Sequence, residues 1–472
     1  MVNKFILSLA FALALAGGAW AEVIRLSPGD DPGAVVAAAP EGAVFRFAPG
    51  IYANAAIIPK DHQTFIGEEG AVLSGAIEIS GWQRAQGIWS ADFPEPGWSH
   101  GEGRDGMARF TEDLLFDGRP LRRVAGPAEL GPGTFFYRAG RAYTRDDPTG
   151  RTTRALYTPA AFGGGSTGVT IENLVIRDYA SPAQRGAIDA HDTRDWTLID
   201  VEAVGNHGAG LAAGDGTRVI GGVYSDNGQV GIHAYGATGL RIEGVVAKGN
   251  NYAGFAPSWD AGGIKILTST DVVVRDSEIA GNEGVGLWLD WDNREVLVEN
   301  NHIHDNAGVG VFLEASYATA ILGNNVADNN RDGYETGFWG ADILVTSSAG
   351  TRIEGNLVYS STGQGIGLEM APREDGAFGP HRLADATVSG NTIVMAAPGL
   401  NGVFVGADPA AVMGMRWVEN TYVTADPGLL GFTWDGAMFP LLSERGVDEG
   451  SVMVTTADVA AWRRDGLLRA AR

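Results

Sequence analysis

Asn-x-x-x-Gly recurs six times in this chain, at Asn206/Gly210, Asn227/Gly231, Asn250/Gly254, Asn282/Gly286, Asn306/Gly310 and Asn329/Gly333, and a seventh copy sets Ser361 before Gly365. Successive spacings are 21, 23, 32, 24, 23 and 32 residues, a unit of 21–24 residues with two insertions of about nine. A unit this short cannot bury an apolar face alone, so its copies must stack. After each Gly the apolar residues alternate: Leu211/Ala213, Ile232/Ala234, Leu287/Leu289, Val311/Leu313 and Ile366/Leu368. Period two with one constant face is a half-buried strand. A second strand precedes each Asn, as in 272–274, 296–298 and 351–353, and a second polar column follows it at Ser277, Asn301, Asn324, Asn356 and Asn391. Stacked Asn side chains can satisfy the turn backbones. A helical reading fails because no i, i+3, i+4 pattern survives and Gly punctuates every copy.

Over residues 165–406 the repeat resembles the right-handed parallel β-helix of the pectin-lyase-like superfamily, whose coils carry such Asn ladders. The resemblance covers about half the chain and implies an all-β, single-stranded right-handed parallel β-helix of about ten or more coils, and a carbohydrate ligand. The flanks divide accordingly. Residues 1–21 read as a signal peptide: a basic start, an apolar run over 5–16, and small residues at Ala19 and Ala21. Residues 22–81 read as an N-terminal cap with a helix at 32–39 and the first coils. In 82–164 the period disappears into an antiparallel β insertion. Residues 407–472 read as a closing segment in which the ladder stops, ending in an amphipathic helix over 456–471.

The signal peptide places the chain in the periplasm or outside the cell, with no span left after cleavage. The apolar run is too short to cross a bilayer. The formal net charge of -23 argues against a nucleic-acid or anionic-membrane surface, which needs a cationic footprint. The absence of Cys removes thiolate nucleophiles and Cys-ligated metals. We expect a monomer acting on or binding a polysaccharide.

Inward positions one and three after each Gly leave positions two and four outward, on coils about 4.8 Å apart. One outward column runs Asp189, Ala212, His233, Lys265, Trp288, Phe312, Leu344, Gly367; the next runs His191, Gly214, Tyr235, Leu267, Asp290, Glu314, Thr346, Glu369. The insertions, 256–261 and 335–339, can wall this strip. Trp259, Trp288, Trp291 and Trp339 would offer faces for sugar rings, as would Phe312, or would simply pack the insertions onto the coils. Asp189 and Glu369 complete the substrate-binding set.

Asp290 and Glu314 on neighbouring coils leave three readings open: a glycoside hydrolase pair, a Ca²⁺ site completed by Asp292, or a structural pair. Asp189-Ala190-His191-Asp192 is similar to the Asp-Pro-His-Asp motif of alginate C5-epimerases, departing at Ala190, and this resemblance implies His191 as the base. By position alone His233 or Lys265 serves equally, with Tyr235 as acid. Arg185 and Arg241 are candidates to neutralise a carboxylate. His302 and His304, in a turn, are read as surface residues. The expected function is an exported lyase or C5-epimerase on a uronate-containing glycan; the alternatives are a glycoside hydrolase using Asp290 and Glu314, and a non-catalytic periplasmic binding protein.

Overall fold

The computed structural model describes residues 23–463 except 96, 98, 335–336, 405–413, 435–436 and 440–446. The signal-peptide reading of 1–21 lies outside the described residues. Each coil contributes one strand to each of three long sheets, of 13, 13 and 11 strands, and nearly every pairing along them is parallel. This is the right-handed parallel β-helix that the repeat implies. Leu211, Ile232, Leu287, Val311 and Ile366, each an inward position of the third sheet, are fully buried in one continuous core with the inward residues of the other two.

The turn between the second and third sheets carries the first Asn column. Each amide donates to the next coil's amide oxygen, from Asn206 through Asn227, Asn250, Asn282 and Asn306 to Asn329, at 2.8–3.1 Å. Each also donates to a backbone carbonyl of a preceding coil, as Asn306 does to Ile279. The glycine of the repeat is required by this packing, since a Cβ on Gly286 would lie 2.6 Å from the Gly310 carbonyl oxygen and 2.8 Å from Asn306 Nδ2. The second column runs from Asn301 through Asn324, Asn356 and Asn391 to Asn420. It does not stop at Gly406. Strands at Arg416–Val418, Thr421–Thr424, Leu430–Trp434 and Val452–Thr455 are further coils rather than a separate closing segment.

Two repeat glycines are not the structural ones. Gly254 and Gly333 lie inside the insertions, and the position facing the ladder is filled by Gly263 in one coil and Asp342 in the other. Asp342 closes the ladder, its Oδ1 accepting from Asn329 Nδ2 at 2.9 Å. Burial raises its pKa to about 8, against the opposing hydrogen bonds of Asn329. The folded chain thus holds a proton that an unfolded carboxyl releases near pH 4, so stability falls as pH rises across that interval and levels above about 8. Asp342→Asn is expected to flatten this slope; denaturant midpoints at pH 5 and pH 8.5 check it, and an unchanged slope refutes it.

The helix Pro32–Ala38 is capped by Asp31, whose side chain accepts from the Ala34 N–H. Between the early coils and the main solenoid, strands from Ala76 to Leu156 form two small sheets, largely antiparallel, around Phe93, Phe116 and Phe135. This insertion docks on the turns that lead into the third sheet. Asp113 accepts from Tyr252 and bonds His207, and the Ala183 N–H donates to Ser99 Oγ. His302 and His304 lie on a strand of the second sheet, not in a turn. At the C-terminal end, 456–459 are not helical and 464–471 lie outside the described residues; Val459 and Trp462 pack on Tyr359 and Val423. Among the described residues no helix is long and apolar enough to cross a membrane.

Candidate active site

The third sheet pairs both outward columns in the expected register, Asp189 with Ala212 and on to Gly367, and Tyr235 with Leu267, Asp290, Glu314, Thr346 and Glu369. The two columns have different fates. The first is roofed by the insertions and is largely buried, whereas the second faces a groove.

Trp288 and Phe312 stack at 5.2 Å and pack with Phe338 and Leu344. Lys265 Nζ sits 2.9 Å from the Trp288 ring centroid. Lys265 and Phe312 come from opposite neighbouring coils, so both faces of Trp288 are taken and neither aromatic offers a face to a sugar. Trp259 stacks on Phe255 and meets the edge of His100, fastening its insertion to the 99–110 loop. Trp291 contacts His381. Trp339 remains 39% exposed.

Lys265 is the hinge of the site. Almost fully buried, it bridges Asp260 at 3.1 Å and Asp290 at 2.7 Å. A buried ammonium needs such partners, because removal from water is otherwise prohibitive. Burial works to raise the Asp260 pKa, but His233, Lys265 and Gln184 outweigh it and hold the carboxyl well below its usual range. His233 is buried beside it, Nε2 3.6 Å from Asp260 Oδ2, with no hydrogen-bond partner on either ring nitrogen.

Asp290 and Glu314 pair across adjacent strands, so their Cα atoms lie about 5 Å apart and both side chains face the groove. Their partners differ. Asp290 takes Lys265, whereas Glu314 takes Arg373 from the loop after the strand Gln364–Glu369. Burial and then the Asp290 charge raise the Glu314 pKa, and Arg373 pulls it back. Asp292 does not join them: φ of +57° turns its backbone, and its carboxylate bonds His381 Nε2 at 2.9 Å and the Ala377 N–H. Among the described residues no group of three or more His, Asp or Glu side chains is placed to hold a metal ion. Glu369 sits two coils beyond Glu314, half-buried under Gly337, with burial raising its pKa.

His191 and Tyr235 form a second cluster on the same column, rings 6.1 Å apart. Beside it Arg185 binds Asp189 at 2.8 Å and Asp192 at 3.3 Å. Asp189 is half-buried, and burial raises its pKa against Arg185. Arg241 is far from the strip, bidentate to Asp271 on the first sheet. Sequence reasoning missed Asp260, Gln184 and Arg373. Asp260 was visible only as part of an insertion, and Arg373 lies outside the repeat, where no period points to it.

Comparison with known proteins agrees with this architecture. The family model described as "Right handed beta helix region" matches residues 186–358. The solved structure "The complex structure of XylC with xylose" aligns at TM-score 0.66 and 14% identity, covering 85% of this chain and 83% of the other. The A-module of the mannuronan C-5 epimerase AlgE6 of Azotobacter vinelandii aligns at TM-score 0.50 and 15% identity, covering 90% and 93%. No curated protein matches the sequence. The three stacked sheets and these matches make the chain a right-handed parallel β-helix protein of the pectin-lyase-like fold.

Proposed function

We propose that the protein is an exported glycoside hydrolase that retains anomeric configuration, with Asp290 as nucleophile and Glu314 as general acid and base. One observation carries this reading: two carboxylates on adjacent coils, at a backbone spacing of about 5 Å, facing one groove and held by different cations. Retaining hydrolysis needs carboxyl groups about 5–5.5 Å apart, in environments that separate an ion from an acid. Asp290, paired by Lys265, attacks the anomeric carbon while Glu314 gives its proton to the departing oxygen. A covalent glycosyl ester forms; Glu314 then takes a proton from water, which attacks the same carbon and releases Asp290. The structural neighbour whose title names bound xylose supports a sugar in such a groove.

A lyase or C5-epimerase using His191 and Tyr235 is the second reading, favoured by their juxtaposition at 6.1 Å. It ranks lower because Lys265, the expected enolate stabiliser, is buried between two carboxylates. The test is to incubate the protein with a panel of aryl glycosides and neutral oligosaccharides and to read the anomer of the first product by NMR. Retained product supports the hydrolase. No cleavage, with a rise near 235 nm on polyuronates, supports the second reading and overturns the first.

Arg373 sets the alkaline limit of the reaction. Glu314 acts protonated, so kcat/KM falls as pH rises through its pKa. Removing the cation that favours its ionised form raises that pKa further. In Arg373→Gln the alkaline limb is therefore expected to move to higher pH, and pH profiles of kcat/KM check this. A limb that stays or moves lower refutes the assignment of Glu314 as acid.

A further inference from the structure

Tyr235 is 55% exposed on the column that carries Asp290, two coils away through Leu267, a distance of about 10 Å. It borders an open cavity of about 430 Å³ with His191, Asp192, Thr193, Arg194 and Asp215. This combination is unusual along the strip. The aromatics nearer the dyad, Trp288 and Phe312, are buried and stacked on each other, whereas Tyr235 presents its ring to the groove.

The cavity wall combines one flat aromatic platform with hydroxyl-binding groups, the pairing that recognises a pyranose ring by its apolar face and its rim. Its charges exclude an acidic sugar. Arg194 is paired with Asp215 at 3.4 Å, and the nearby Arg185 with Asp189 and Asp192. The cavity lining therefore carries two carboxylates against one guanidinium, which disfavours a uronate carboxylate.

We infer that Tyr235 and His191 form a distal subsite for a neutral pyranose residue, so that the substrate is an oligosaccharide or polymer lying along the coil stack with one sugar on Tyr235 and the scissile bond at Asp290 and Glu314. The inference rests on the hydrolase reading for the location of the bond. It assigns His191 and Tyr235 to binding.

Two measurements keep the two claims separate. Equilibrium binding of neutral β-linked tetrasaccharides of xylo, gluco and manno configuration, with oligogalacturonate as charged control, is measured by calorimetry on full-length Asp290→Asn, with and without Tyr235→Ala. Kinetics on a tetrasaccharide and an aryl monosaccharide are then compared in wild type and Tyr235→Ala, after matching thermal midpoints. Tyr235→Ala is expected to weaken binding of the preferred neutral tetrasaccharide about tenfold and to lower the tetrasaccharide to monosaccharide ratio of kcat/KM by a similar factor. Unchanged tetrasaccharide binding, no neutral binding, or tighter binding of oligogalacturonate overturns the subsite. Full activity in Asp290→Asn overturns the hydrolase reading alone, and the binding result still decides the subsite.

Discussion

Asp290→Asn and Glu314→Gln are expected to fail in different ways on the same substrates. The amide at 290 cannot form the glycosyl ester, so turnover falls below detection whatever the leaving group. Glu314→Gln loses proton donation, costing about 10²–10⁴-fold in kcat on an alkyl or sugar leaving group. With a dinitrophenyl leaving group, which departs unprotonated, the first step survives and a burst of phenolate precedes a stalled second step. Azide added to each variant separates the roles further. It should give a glycosyl azide of retained configuration from the Glu314 variant and of inverted configuration from the Asp290 variant. Interchanged azide products would reverse the two assignments; equal, modest losses in both variants would remove them from catalysis.

Lys265→Met has the second large effect, and on stability as well as rate. Lys265 neutralises Asp260 and Asp290 together at 3.1 and 2.7 Å, and Asp260 is buried. Taking away one partner of a buried ion pair leaves an uncompensated charge, a loss of about 3–5 kcal/mol. Methionine fills most of the volume, so the loss reports charge more than a cavity. Adding Asp260→Asn removes the stranded charge, and the double variant is expected to regain most of the stability while remaining slow, because Asp290 still lacks its ammonium. Urea midpoints and kcat on an aryl glycoside measure both. A single variant as stable as wild type would show that the buried ammonium is not what holds Asp260.

The repeat and its alternation were legible because stacking imposes one periodicity on every coil. Leu211, Ile232 and Leu287 face the core for the same reason that His233, Lys265 and Asp290 face away from it. Strict alternation therefore located the outward columns correctly before any contact was known. It could not tell which outward residues are covered. Trp288 and Phe312 looked like sugar platforms and are packing residues, since the 335–339 segment that covers them folds by its own contacts rather than by the period. Gly254 and Gly333 matched the motif by spacing while Gly263 and Asp342 hold the position in space, because sequence spacing is blind to where an insertion begins. The continuation past Gly406 was hidden by the longer interval between Asn391 and Asn420. Arg373 acts on Glu314 from a loop, where only the tertiary structure brings it near.

Those two insertions share one point of departure. Both leave the solenoid after a ladder Asn, at Asn250 and Asn329, and return before the next strand of the third sheet. At that point the turn's polar groups are already satisfied by the amide stack, so whatever the chain does next imposes no debt on the coils above and below. The fold thus separates a scaffold of fixed pitch from loops of free length, and every ladder Asn marks a graft point on the rim of the groove. Specificity in such a molecule can be rewritten by exchanging these loops one coil at a time, with the paired carboxylates and the amide stack left in place.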